Sequence, residues 1–248
     1  MSEELTAATI TITGAGDDPV EAYLAVPDDG ASARGSVVVI HHMPGYDSST
    51  KEVARKFAAN GYAALLPNLY YRQAPGASPD DAAAVARASG GVPDEQVVGD
   101  VRGAADYLRG VPGSNGKVGV IGYCSGGRQS FLVACSLQLD AAVDCYGACI
   151  VNPPPDGFPL KVNAIVGLAP DLSCPLLGLF GADDKYPTPA ENAELSRVLD
   201  NLGKLHEFHT YDGAGHAFFA VDRPAYRPAA ANDGWQKIFD FCGRYLAS

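Results

Sequence analysis

The run Ser36-Val37-Val38-Val39-Ile40 constrains this chain more than any other segment. It is β-branched almost throughout and has no polar alternation, so a strand built from it must be covered on both faces, as in a parallel sheet. Strands and helical periods then alternate. A helix is expected near Lys51–Asn60, followed by the strand Tyr62-Ala63-Ala64-Leu65-Leu66, which Pro67 stops. Val97, Val98, Val101, Ala104, Ala105 and Leu108 hold a helical period of about 3.6. Further strands are expected at Val118–Ile121, Ala141–Cys145, Pro175–Phe180 and His206–Tyr211. Helices follow Cys124 and cover Ala190–Leu202 and Ala231–Leu246. Single helices between strands imply right-handed crossovers, so the expected class is α/β: a three-layer α/β/α sandwich on a mostly parallel sheet. Ahead of it, Thr9–Thr13 and Val20–Val26 alternate polar and apolar about a Gly14–Pro19 turn. That pattern predicts an N-terminal antiparallel hairpin with one wet face.

A chain of 248 residues, 47% of them hydrophobic, can form one large domain over residues 1–248. At that size the core needs neither a disulfide nor a metal. The formal net charge of −11 repels phosphate backbones and acidic membrane faces, so neither nucleic acid nor membrane is an expected partner. Any anion site must be a local cluster of Arg or Lys. No apolar run reaches the roughly 18 residues of a membrane helix. Met1-Ser2-Glu3-Glu4 lacks the basic-then-apolar order of a secretory leader. Six cysteines without C-x-x-C spacing read as reduced thiols in a cytoplasmic protein. His206 and His209 lie three apart on a predicted strand and face opposite sides, so they do not chelate one ion together. Two long connections, Tyr70 to Pro93 and Ala148 to Ser173, read either as functional lids and floors or as mobile decoration.

The chemistry is carried by Gly119-Val120-Ile121-Gly122-Tyr123-Cys124-Ser125-Gly126-Gly127. A buried strand runs straight into a helix with Gly two before and two after a cysteine, the thiol form of a nucleophile elbow. The turn is sharp enough that its flanking positions approach too closely for a Cβ. The apex side chain then stands above the carboxyl end of the sheet, facing the positive end of the next helix, which favours a thiolate. Ser125 is flanked at two residues by Tyr123 and Gly127, so only Cys124 is centred. Gly122 and Gly127 also have phosphate-loop spacing, but Arg128 and Gln129 follow in place of Lys and Ser/Thr.

A thiol at an elbow needs an acid and then a histidine further along the chain. His216, in Gly213-Ala214-Gly215-His216, is the expected base. The acid lies in Phe180-Gly181-Ala182-Asp183-Asp184; the Gly-x-x-Asp spacing selects Asp184, with Asp183 as the alternative. The expected oxyanion donors are the N–H groups of Ser125 and of Met43, since Pro44 next to it cannot donate. His41 and His42 alternate faces if the strand continues, one toward the core and one toward the site mouth.

These motifs, with Pro67-Asn68-Leu69-Tyr70, Arg72-Gln73-Ala74-Pro75-Gly76, Ser114-Asn115-Gly116-Lys117 and Ala214-Gly215-His216, resemble the dienelactone hydrolase (carboxymethylenebutenolidase) family over roughly residues 20 to 247. The resemblance implies an α/β-hydrolase fold and a Cys124–His216–Asp184 triad. It implies hydrolysis of a lactone or activated ester through a thioester, with no cofactor and a small-molecule substrate. The family's glutamate, which contacts the resting cysteine, is matched here by His42. Its substrate carboxylate is held by arginines. Arg87 falls at one of these positions, and the other meets Ala220, with Arg223 nearby as a substitute. That departure leaves two further readings: a ligand-binding protein that no longer turns over, and an acyltransferase.

Overall fold

The structure is a computed structural model that describes residues 5–27, 34–43, 45–158 and 160–247. The readings placed on Met1–Glu4 and on Pro44 therefore lie outside the described residues. Strand β1 (Leu5–Thr13) pairs antiparallel with β2 (Pro19–Pro27), Ile12 opposite Val20, and β2 pairs antiparallel with β4 (Ala63–Pro67). The pairings among β4, β3 (Ser36–Ile40), β5 (Val118–Tyr123), β6 (Ala141–Cys145), β7 (Leu176–Gly181) and β8 (His206–Tyr211) are parallel. The sheet order is β1-β2-β4-β3-β5-β6-β7-β8. This is the expected three-layer α/β-hydrolase arrangement with its N-terminal hairpin.

Every residue of β3 to β7 is buried, and side chains alternate between two cores. Val38, Ile40 and Val120 pack with α2 (Pro79–Ala88), α3 (Asp94–Arg109), α4 (Ser125–Ser136) and α5 (Pro189–Asn201). Val37, Val39 and Ile121 pack with α1 (Ser48–Ala59) and α6 (Pro228–Tyr245). The edge strand β1 is mostly exposed, so its alternation is visible in sequence. On β8 the two histidines diverge as expected. His206 Nε2 meets Ser196 Oγ of α5 at 2.8 Å, while His209 sits in the field of Asp233 and Lys237 of α6.

Two helices begin earlier than the hydrophobic period predicts. Asp47 caps α1, accepting the Thr50 N–H at 2.7 Å, and Pro228 opens α6 at a position where a missing N–H costs nothing. Arg72 ties three elements together. Its Nη1 and Nη2 donate to the fully buried Asp100 at 2.9 and 3.0 Å, and Nη2 also donates to Ala15 O at 2.9 Å. Among the described residues no helix is long and apolar enough to cross a membrane, and no group of three or more His, Cys, Asp or Glu is placed to hold a metal ion.

Candidate active site

Only Cys124 stands between β5 and α4, with φ 56° and ψ −119°, a left-handed backbone that a residue with a Cβ adopts only under constraint. The constraint is visible in its neighbours. A Cβ on Gly122 would overlap the Gly126 carbonyl, and one on Gly126 would stand 2.5 Å from Ile40 O and 2.9 Å from His41 O. The Cys124 N–H still donates to Cys145 O at 3.0 Å, so the strand ladder holds the apex in place. The helix's own bonding begins with Gly127 N–H to Cys124 O at 2.9 Å, and the Ser125 N–H precedes it at the positive end of α4.

Asp184 and His216 come from loops after β7 and β8, brought side by side because those strands are parallel neighbours. His216 Nδ1 and Asp184 Oδ2 are 2.9 Å apart, and Asp184 Oδ1 accepts the Tyr186 N–H at 2.9 Å. The Asp184 side chain is 2% exposed and that of His216 34%. Of the two acids left open by the sequence, Asp184 meets the imidazole; Asp183 is exposed. Cys124 lines the same cavity as His216 and acts on its imidazole. Burial alone would lower the His216 pKa. The hydrogen bond to Asp184 and the influence of Cys124, with the charges of both, more than offset it and raise the group from its ordinary 6.5 to about 10. Tyr146, itself at φ 46°, sets its ring against the imidazole at 5.0 Å between centroids.

The thiol opens into a cavity of about 410 Å³, whose wall includes Met43, Ser125, Asp184 and His216. Both long connections reach it, the first through Tyr70 and Val92, the second through Cys149, Phe158 and Leu160. Strand β3 ends at Ile40, so His41 and His42 do not alternate along it, and neither lines this cavity. His41 is 1% exposed; its Nε2 accepts the Leu69 N–H at 3.2 Å, so Nδ1 carries the proton and donates to His42 O at 2.9 Å. Burial pushes its pKa down to about 4, which keeps it neutral and pins the Met43 loop to the Tyr70 loop.

His42, Arg87 and Arg223 are not on the wall of this cavity. His42 turns to Asp47 Oδ2 at 2.9 Å and lines a separate small aromatic pocket with Tyr123 and Trp235. Arg87 is exposed in the last turn of α2, and Arg223 is exposed in the turn after His216. Arg128 and Asp94 do reach the wall. Arg128 follows Cys124 by one helical turn, a spacing that places both on one side of α4 and was legible without coordinates. Asp94 carries no such signal, because it arrives from another helix.

The match to the dienelactone hydrolase family model covers residues 20–246. A Salmonella typhimurium protein named "Putative carboxymethylenebutenolidase" is 33% identical over 251 residues, covering 97% of this chain and 88% of that protein. The carboxymethylenebutenolidase of Pseudomonas putida is 32% identical over 217 residues, covering 85% of this chain and 86% of its own. A crystal structure described as a "Putative Dienelactone Hydrolase", from Klebsiella pneumoniae, superposes with a TM-score of 0.86 at 28% identity, covering 98% of this chain and all of that one. Family match, 33% sequence identity over 97% of the chain and the superposition agree: the chain belongs to the dienelactone hydrolase family and is a hydrolase on the α/β-hydrolase fold.

Proposed function

We propose that Cys124 is the nucleophile of this hydrolase and that its substrate is a small lactone or activated ester. The observation that supports this most is the position of His216, hydrogen-bonded to Asp184 and set on the same cavity wall as Cys124, which acts on the imidazole. With Nδ1 engaged by Asp184, Nε2 is the nitrogen that takes the thiol proton. Sγ attacks the carbonyl carbon, and the oxyanion is held by the N–H groups of Ser125 and Met43, each worth about 3 kcal/mol of barrier in sites of this kind. The C–O bond then breaks. The leaving oxygen takes the proton from His216, and a thioester remains on Cys124. Water attacks the thioester, giving a proton to His216; the thiolate departs and recovers it. An enolate or other stabilised alkoxide leaves more readily than an amine, so enol lactones and activated esters suit the site better than amides. Six unpaired thiols fit a reducing compartment, which supports a cytoplasmic setting.

The test is turnover of a p-nitrophenyl ester followed by intact mass spectrometry. A transient acyl adduct on Cys124 is expected, lost in Cys124→Ala together with activity. Equal rates in both proteins would remove the assignment, and saturable binding without an adduct would favour a silent ligand-binding protein. Faster transfer to added alcohol or thiol than to water would favour an acyltransferase.

A further inference from the structure

We infer that this cavity takes an uncharged ester or lactone, and that Asp94 imposes this by occupying Arg128; the inference rests on the hydrolytic reading above. The Arg128 side chain is only 5% exposed, yet it lines the cavity one helical turn beyond Cys124. Its Nη1 and Nη2 donate to Asp94 Oδ1 and Oδ2 at 2.7 and 2.9 Å, a two-pronged pairing, and Nη2 also donates to Asn163 O at 2.9 Å. The charge is neutralised and both terminal nitrogens are engaged, so an incoming carboxylate would have to displace Asp94 to use them.

What remains is neutral in character. The other ionic side chains on the wall are His216 with Asp184, and Asp183 and Lys185, both exposed, where solvent screens them. Three carboxylates thus face Arg128 and Lys185, and among the described residues no buried cation on this wall lacks a counter-charge. Tyr70, Val92, Phe158 and Leu160 supply apolar surface, against which a carboxylate would lose hydration without compensation.

The experiment compares kcat/KM for p-nitrophenyl butyrate and p-nitrophenyl hemisuccinate, which differ at the far end of the acyl chain. The wild type should prefer the butyrate by at least about tenfold, the scale on which an unpaired group at a binding site discriminates. Asp94→Asn, with its folding checked by circular dichroism, should narrow that ratio by about fivefold or more through a gain on the hemisuccinate. Adding Arg128→Gln should abolish the gain. Equal or faster wild-type turnover of the hemisuccinate would overturn the inference without touching the hydrolytic reading. An unchanged ratio in a folded Asp94→Asn protein would overturn the role of Asp94. Failure to turn over either ester above the Cys124→Ala background would overturn both readings. The wild-type ratio requires no variant, so a misfolded substitution does not remove the test.

Discussion

The imidazole of His216 and that of His41 show how one side-chain type is set to opposite tasks by its surroundings. His216 is raised to about 10 by Asp184 and Cys124 against its burial, so the proton it takes from the thiol stays on it to well above neutrality, as an imidazolium beside the thiolate. Asp184→Asn should lower that titration toward the ordinary 6.5, seen in imidazole NMR shifts, and reduce kcat by roughly 10²–10⁴-fold. The alkaline limb of the kcat/KM profile should move to lower pH with it. His41 has only a backbone donor on Nε2 and no carboxylate within hydrogen-bond reach, and burial takes it to about 4. Its folded value lies below its unfolded 6.5, so between these values the unfolded chain binds the extra proton. Stability therefore falls as pH drops from about 6.5 to 4, by up to about 3 kcal/mol from this group. His41→Gln should flatten that part of the curve in urea midpoints measured against pH, and a slope identical to wild type would contradict it. His216 was legible as a reactive histidine from its Gly-rich loop. The neutrality of His41 was not, because it depends on the Leu69 N–H arriving from 28 residues away.

At the scale of elements, glycine fixes how closely helices approach what they support. Gly126 lets α4 press against the carbonyls of Ile40 and His41, which seats the loop carrying Met43 above the elbow. Gly126→Ala should cost about 1–3 kcal/mol and also depress kcat, because the added methyl displaces that loop. Gly103 plays the same packing role far from the thiol, where α3 crosses the Thr13 carbonyl. Gly103→Ala should lower the melting temperature through a similar penalty while kcat stays near wild type. If both variants lose the same fraction of kcat, the link between Gly126 and the oxyanion loop is wrong. Asp100 is the electrostatic counterpart: removing this buried partner of Arg72 by Asp100→Ala should cost about 3 kcal/mol, read as a shift in urea midpoint. The Gly-x-Cys-x-Gly spacing announced the first of these contacts. Of the other two, Gly103 meets the end of a distant strand and Asp100 meets Arg72 from 28 positions away, and no local pattern records either.

Over the whole molecule, a net charge of −11 surrounds a cavity on whose wall, among the described residues, no buried cation is unpaired. Anionic esters should therefore react faster as salt is raised. The Debye length falls from about 30 Å at 0.01 M to about 8 Å at 0.15 M, so kcat/KM should rise by about twofold for an anionic ester and hardly move for a neutral one. Salt-independent rates for both would show that the field does not reach the site. The sequence by itself determined the layered architecture, since uninterrupted apolar strands alternating with helical periods have few other ways to be covered. It also determined the elbow and the order of thiol, acid and histidine, because backbone sterics and chain direction are local properties. Only the tertiary structure decided that Asp184 rather than Asp183 meets the imidazole, that His42, Arg87 and Arg223 stand off the cavity wall, and that Arg128 is held by Asp94. Those outcomes turn on which side chains from distant segments come within about 3 Å of one another, and hydrogen bonds and ion pairs fall off over distances that linear spacing does not encode.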